Sequence, residues 1–517
     1  MDMEDSASVA AALAARTRTA PILRLPLEVL IRIAAGLTTP ELCALRLTCR
    51  FVEELLYVTF TREFFTKKQF MMTDFSLQTL VDVSRSRLGL NLRQLHIGLD
   101  RFPEGIQRPL ADDDRERKFK QRYSDYFTLW NTGAHRTMLA EALRNLANLD
   151  EVVLRDFNSA KRSRDGPTAE WTSYGSTTIF NETGVRLSQG ATGVWDSGLP
   201  LQGCSQVFAL LLHALGDAAV YPKGIQVMAH NGSQLRDFAF NVPRFVEPSI
   251  APVLDRLEKL HLSIDLSWRS SLSGWAHGAV VPSRPQSDTR LLRRFLCRTP
   301  NLKDLRINEH HDYNPALADF LEWLAAPAPV PDASSAVDDD NPPPVAMSHL
   351  ENLSLGLMNV APRTLLHVIR KFAPRLQGLE LWKMTLQRPL PPGSDPSDPP
   401  RSSFWVDFMN QLKQVPGLDL RHFKAGMLKQ TYAHRPKVYF VSFKKRGVTV
   451  EYTGPCWKDF FDEVTPLLEV KWPPMVTPEN DSSNDQDSED GSEGSLADED
   501  LADVADGEDD VADGGDA

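Results

Sequence analysis

Three stretches of this 517-residue chain place side chains of reactive type close enough in sequence to act together. His310-His311-Asp312 supplies metal-ligand types, but neighbours on extended chain point to opposite sides, so the two imidazoles cannot converge on one ion. It reads as a polar loop. Cys204-Ser205 with His213 supplies a nucleophile and a base, yet Val207, Leu210, Leu211 and Ala214 fall at helical spacing around them and no acid is placed to orient His213. That stretch reads as core-lining helix. Lys161-Arg162-Ser163-Arg164 is a short basic run that reads as a solvated loop, with nuclear import as the alternative. The sequence has no G-x-S-x-G, no H-E-x-x-H and no Walker or dinucleotide glycine pattern. Cys43, Cys49, Cys204, Cys297 and Cys456 contain no C-x-x-C spacing and are odd in number, which argues for reduced thiols in the cytoplasm or nucleus. The expectation is a non-catalytic chain with no metal and no cofactor.

The elements that would carry any function follow from a recurring phrase, Leu-x-x-Leu-x-Leu. It occurs as Leu92-Leu95-Ile97, Leu149-Val152-Leu154, Leu235-Phe238-Phe240, Leu257-Leu260-Leu262, Leu302-Leu305-Ile307, Leu350-Leu353-Leu355 and Leu376-Leu379-Leu381, with Val415-Leu418-Leu420 a weaker eighth. Its second half alternates with the period of a strand buried on one face. Helical patterns precede most copies, at 77–88, 138–146, 207–215, 291–296, 317–324, 365–372 and 405–412. Pro300, Pro374 and Pro416 end three of these helices just before the strand. Helix, short turn and strand make the unit of a leucine-rich repeat. A parallel α/β domain is the alternative. Three insertions interrupt the units, near 158–203, 326–347 and 388–403; Trp171, Tyr174, Phe180 and Trp195 suggest that the first folds partly against the body. Lys444-Lys445-Arg446-Gly447 separates two apolar runs, 438–443 and 448–452, and predicts a hairpin that caps the open end.

The net charge of −12 is unevenly placed. From Glu479 onward stand 17 acidic residues and no Lys or Arg, leaving 57 basic against 52 acidic residues before it, a net of +5. Residues 476–517 therefore read as a disordered acidic tail, and 1–20 as a disordered N-terminus. A balance this small argues against nucleic acid as a partner, and the lack of a long apolar run argues against a membrane span.

Between Leu25 and Arg50 the sequence predicts two short helices with a tight corner. Pro26 and Glu28 suit a first helical turn, and Leu30, Ile33, Ala34 and Leu37 fall on one face. Gly36 weakens the end, and Thr39-Pro40-Glu41 starts the second helix with Leu42, Leu45 and Cys49 on its apolar side. A third helix follows over 51–65. The pattern Leu25-Pro26-x-Glu28-Val29-Leu30, Ile33, Leu37, Leu42, Leu45, Leu47, Cys49-Arg50 resembles the F-box of fungal proteins, departing from it at Glu41 and in lacking a Trp in the third segment. With the repeats, the chain resembles F-box proteins with degenerate C-terminal leucine-rich repeats. The resemblance implies a mixed α and β chain: a small helical F-box module at 21–65, then a leucine-rich-repeat-like α/β solenoid at 66–475 with loop insertions. It also implies a substrate-recognition subunit of a ubiquitin ligase, bound to a Skp-type adaptor and through it to a cullin scaffold. The adaptor contact would fall on Leu25, Pro26, Val29, Leu30, Ile33, Leu42 and Leu45. The target would lie on the concave strand face or on the insertion loops; the outward residues of that face, among them Arg93, His96, Lys303 and Asn352, form a net basic set represented by Arg236, Lys259 and Arg306. A scaffold that binds the adaptor without ligase work, or an active site hidden in 158–203, are the alternatives.

Overall fold

The computed structural model describes residues 21–102, 112–158, 163–166, 169–189, 203–230, 232–267, 285–309, 315–329, 342–394, 400–433 and 437–472. The expected N-terminal and C-terminal disorder, Trp195 and His310-His311-Asp312 lie outside these residues. The fold is mixed α and β, with a small helical module leading into a long parallel sheet.

The module is α1 (Leu27–Ala35), α2 (Thr39–Leu47), α3 (Arg50–Leu55) and α4 (Tyr57–Phe64). The predicted third helix is broken at Leu56, which is 1% exposed and turns the chain between α3 and α4. Thr38, one residue earlier than predicted, precedes α2, and Glu41 Oε2 accepts the Thr38 N–H at 2.9 Å and its hydroxyl at 2.8 Å. Leu30, Ala34, Leu42, Val52, Leu56 and Phe64 form a separate small core.

The main sheet runs β1 (Lys67–Met71), β2 (Gln94–Gly98), β3 (Glu151–Arg155), β4 (Gly224–Met228), β6 (Lys259–Asp265), β7 (Asp304–Glu309), β8 (Asn352–Gly356), β10 (Gly378–Trp382) and β12 (His422–Gly426), parallel and in chain order. A two-residue strand, β5 (Leu235–Arg236), pairs off this path with β6. Each unit joins the last at the same point: the Thr66, Arg93, Asp150, Lys223, Glu258, Lys303, Glu351 and Gln377 carbonyls each accept two successive N–H groups of the next unit. Leu95, Ile97, Val152, Leu154, Leu260, Leu262, Leu305, Ile307, Leu353, Leu355, Leu379 and Leu381 are at most 1% exposed on the core side. Each such side chain contributes about 1.5–3 kcal/mol by leaving water. Growth at one edge with right-handed crossovers puts the helices on one face. They pack there in sequence: α5 (Asp74–Arg85), α7 (Ala134–Asn145), α9 (Cys204–Ala218) and α10 (Glu247–Asp255), then α11 (Pro285–Leu296), α12 (Pro315–Ala325), α13 (Pro362–Phe372) and α14 (Phe404–Lys413).

Six of the eight phrases lie on these strands. Leu235-Phe238-Phe240 instead enters a 3-10 turn, Asp237–Phe240, that fills the helix layer, and Gly224–Met228 takes its place in the sheet. The eighth is shifted, since Phe423 and Ala425 are the core-facing residues of β12. Past β8, β10 and β12 the chain bends through Leu357, Lys383 and Met427, all at positive φ, into a second sheet. That sheet holds β9 (Asn359–Val360), β11 (Thr385–Arg388), β13 (Lys429–Tyr432), β14 (Val438–Phe443) and β16 (Leu468–Val470). The expected hairpin is divided: β14 runs antiparallel to β13, whereas β15 (Thr449–Thr453) runs antiparallel to β12. Both sheets end at the same unit, so one strand pairs with each open edge. Trp457 and Phe461 of α15 (Trp457–Val464) pack beneath, Phe461 at 4.7 Å from Phe423. No helix among the described residues is long and apolar enough to cross a membrane.

Candidate functional site

Two surfaces stand out, and the seven residues expected at the first divide into two groups. Leu30 and Leu42 are 2% and 3% exposed and fill the module's core; Leu25 and Leu45 are half-buried. Pro26, Val29 and Ile33 are exposed at i, i+3 and i+7, one stripe along α1. Ile22, Leu27, Leu47, Phe51 and Val58 are exposed apolar residues of the same module that were not among the seven expected at the adaptor contact.

The corner between α1 and α2 is held from the first insertion. Arg164 Nη1 donates to the carbonyls of Ala34 at 2.9 Å and Leu37 at 2.7 Å, while its other nitrogens grip the Glu63 carboxylate. Asp165 accepts the Thr39 N–H at 2.7 Å and its hydroxyl at 2.5 Å. A cation thus meets the carbonyl end of α1, and an anion the amide end of α2, as helix dipoles favour. The basic run is not a solvated loop at Arg164, whose side chain is 10% exposed.

The same insertion covers one end of the strand face opposite the helices. Ser173 accepts from Gln69 Nε2 at 2.7 Å and donates to the buried Asp100, which Gln189 Nε2 also reaches at 2.7 Å. Burial raises the Asp100 carboxyl against these bonds. Trp171 stands edge-on to His96 at 5.4 Å, and the Tyr174 N–H donates to the Gln69 carbonyl. A long helix the sequence reading missed, α6 (Asp113–Thr132), braces this assembly through Arg122 and Glu182 of α8 (Ser176–Thr183). Among the described residues, the insertion's hydrogen bonds and ring contacts on the strand face fall on β1 to β3 and not on the face beyond, from β4 to β12.

There the register aligns Gln226, His261, Arg306, Ser354, Glu380 and Lys424 in one rung. The cations of this strand face are paired across strands: Lys259, two residues before the rung, with Glu151 at 3.3 Å, Arg306 with Glu380 at 2.8 Å, Lys424 with Glu451 at 3.3 Å. The expected basic face is therefore largely neutralised. Lys259 and Arg306 sit on neighbouring strands; Arg236, on β5 opposite Asp265, stands six residues along the strand from the level of Lys259, about 20 Å away. Burial works against ionisation of Glu380, but bonds from His422 and Ser354 and the Arg306 charge outweigh it and lower its carboxyl to about 2.

No family model matches this chain, and no curated protein matches it. Among the described residues no group of three potential ligands is placed to hold a metal. Cys204 is buried with its thiol pushed up by burial, and Ser205 Oγ accepts the Arg236 N–H at 2.9 Å, so neither is poised as a nucleophile.

Glycines on the strand face accept a neighbour's side chain. A Cβ at Gly356 would collide with Asn308, at Gly378 with Asn352, and at Gly426 with the Trp382 ring. Gly426→Ala is expected to cost roughly 1–3 kcal/mol through overpacking, and less in a Trp382→Ala background, where only Thr449 Oγ1 still crowds the new methyl, as read by denaturant melts.

His96 and His261 are buried and held below their ordinary pKa, His96 by burial and then Arg155 and Lys67, His261 by burial against its bond to Asp304. Each is harder to protonate in the folded chain than in the unfolded one, so the unfolded chain binds more protons as pH falls through about 6.5. Stability is expected to fall as pH drops through that range, and His261→Gln should flatten the dependence in urea titrations.

Proposed function

We propose that the N-terminal module is an F-box and that the sheet with its helix layer is a leucine-rich-repeat solenoid, making the chain the substrate-recognition subunit of a Skp-cullin-F-box type ubiquitin ligase. The observation that carries this reading is the exposed stripe Pro26, Val29 and Ile33 on a module whose core is filled by Leu30, Ala34 and Leu42. Such a stripe suits burial against a Skp-type adaptor, where apolar area leaving water supplies the affinity. The chain-order parallel strands, each joined by the same two-bond carbonyl, support the repeat reading. A target protein would lie on the open stretch from β4 to β12, with Arg306 and Lys259 on its floor. Ubiquitin transfer then becomes local because the target is held near the conjugating machinery. Tagged full-length chain should co-purify with both a Skp-type adaptor and a cullin. Recovery of the adaptor without a cullin would favour a scaffold outside ligase work, and recovery of neither would remove the F-box reading.

A further inference from the structure

On the helix side of the sheet, α12 and α13 pack side by side. Leu365, Leu366, Val368, Ile369 and Phe372 turn α13 inward, leaving Arg363, His367 and Arg370 exposed at i, i+4 and i+7. Together with Lys371 they form one wall of a groove of about 750 Å³, whose other wall is Ala325, Ala326 and Pro327. Glu322 is the one carboxylate among its lining residues. Lys371 Nζ donates to the Leu324 carbonyl at 2.7 Å, and burial lowers its ammonium to about 8. Among the described residues neither Arg363 nor Arg370 has an ion-pair partner.

The chain itself contains a segment of matching chemistry. Within the acidic stretch after Glu479, a Leu-Ala-Asp or Val-Ala-Asp unit occurs at 496–498, 501–503, 504–506 and 511–513. Each joins a short aliphatic side chain to a carboxylate, as a groove with one apolar and one basic wall requires. The described chain leaves the second sheet at β16, three strands from β11, or about 15 Å. α13 packs against β11. The residues from 470 to 496 span up to about 85 Å when extended, far more than that distance.

We propose that residues 496–513 of this chain dock in the groove between α12 and α13, setting carboxylates against Arg363 and Arg370 and aliphatic side chains against Ala325 and Pro327. The segment then covers its own basic groove and excludes other acidic ligands. The test is a labelled peptide of residues 494–513 titrated by fluorescence anisotropy into the full chain and into a chain ending at Val476, which retains every described residue. The truncated chain should bind it saturably at low salt, and the full chain at least about tenfold more weakly, because the tethered copy competes at high effective concentration. Arg363→Glu with Arg370→Glu should weaken binding to the truncated chain about tenfold or more, whereas Lys444→Glu with Lys445→Glu should not. Arg363→Gln with Arg370→Gln, checked by circular dichroism, repeats the test without added charge. Equal affinity for full and truncated chains would overturn the proposal, leaving the groove to an acidic partner or to the acidic residues near 338–340. So would a loss confined to the Lys444 and Lys445 variant, or equal binding of a scrambled peptide of the same composition.

Discussion

Val29→Asp combined with Ile33→Asp is expected to abolish capture of a Skp-type adaptor, by at least about a hundredfold, while leaving the melting temperature within about 2 °C. Both side chains are more than 40% exposed in the free chain, so the folded state gains no buried charge. In the complex two carboxylates would be desolvated without partners, which costs several kcal/mol, on the order of 2–5 for a single hot spot. Leu30→Asp is the contrasting variant. It places a carboxylate in the module's own core and should unfold α1 and α2, visible as lost protection in hydrogen exchange. A double variant that holds the adaptor within threefold of the parent would show that the exposed stripe is not the contact.

Arg164→Leu is expected to lower stability by roughly 2–4 kcal/mol, because the change leaves Glu63 without its cation and strips two helix-end carbonyls of their donor. The loss should appear as faster amide exchange in α1 and α2 before global unfolding. Adding Glu63→Gln should return part of it, since the two residues act as one unit. Unchanged exchange in α1 would mean that the insertion merely rests against the module. Under the proposed ligase function this contact has a further consequence: seven to ten residues on from Arg164, the same insertion is anchored on the strand face through Trp171, Ser173 and Tyr174. One segment therefore fixes the module relative to the face that would hold a target.

The strands were legible wherever leucines mark the core face, as in β2, β3, β6, β7, β8 and β10. They were not legible in β4, where Pro222 stands in place of the first leucine and only Ile225 and Val227 face the core. Leu235-Phe238-Phe240 misled because an apolar i, i+3, i+5 spacing also suits one turn of 3-10 helix packed between helices. α6 escaped notice because its sequence is mostly polar and its buried residues are few: Phe119, Tyr126 and Leu129. At the candidate surfaces, the sequence nominated α1 correctly as an amphipathic helix but could not tell which apolar residues serve the core. That division depends on where α2 and α4 come to rest. Nor could it anticipate the pairing of Lys259 and Arg306, since Glu151 and Glu380 reach them only through strand register.

The glycines of the strand face give the sheet a grain. Glu151 lies against Gly224, Asn308 over Gly356, Asn352 over Gly378 and Trp382 over Gly426, and in every case the larger residue belongs to the earlier strand. The joint between neighbours is thus asymmetric, like overlapping roof tiles. Removing units from the C-terminal end would leave an overhanging side chain, an indole in the case of Trp382, with nothing beneath it. Removing them from the N-terminal end would instead leave an empty notch over a glycine. The two ends of the array are therefore not interchangeable. At these four joints, a transplanted or duplicated unit would seat only where its overhang meets a glycine on the strand that follows.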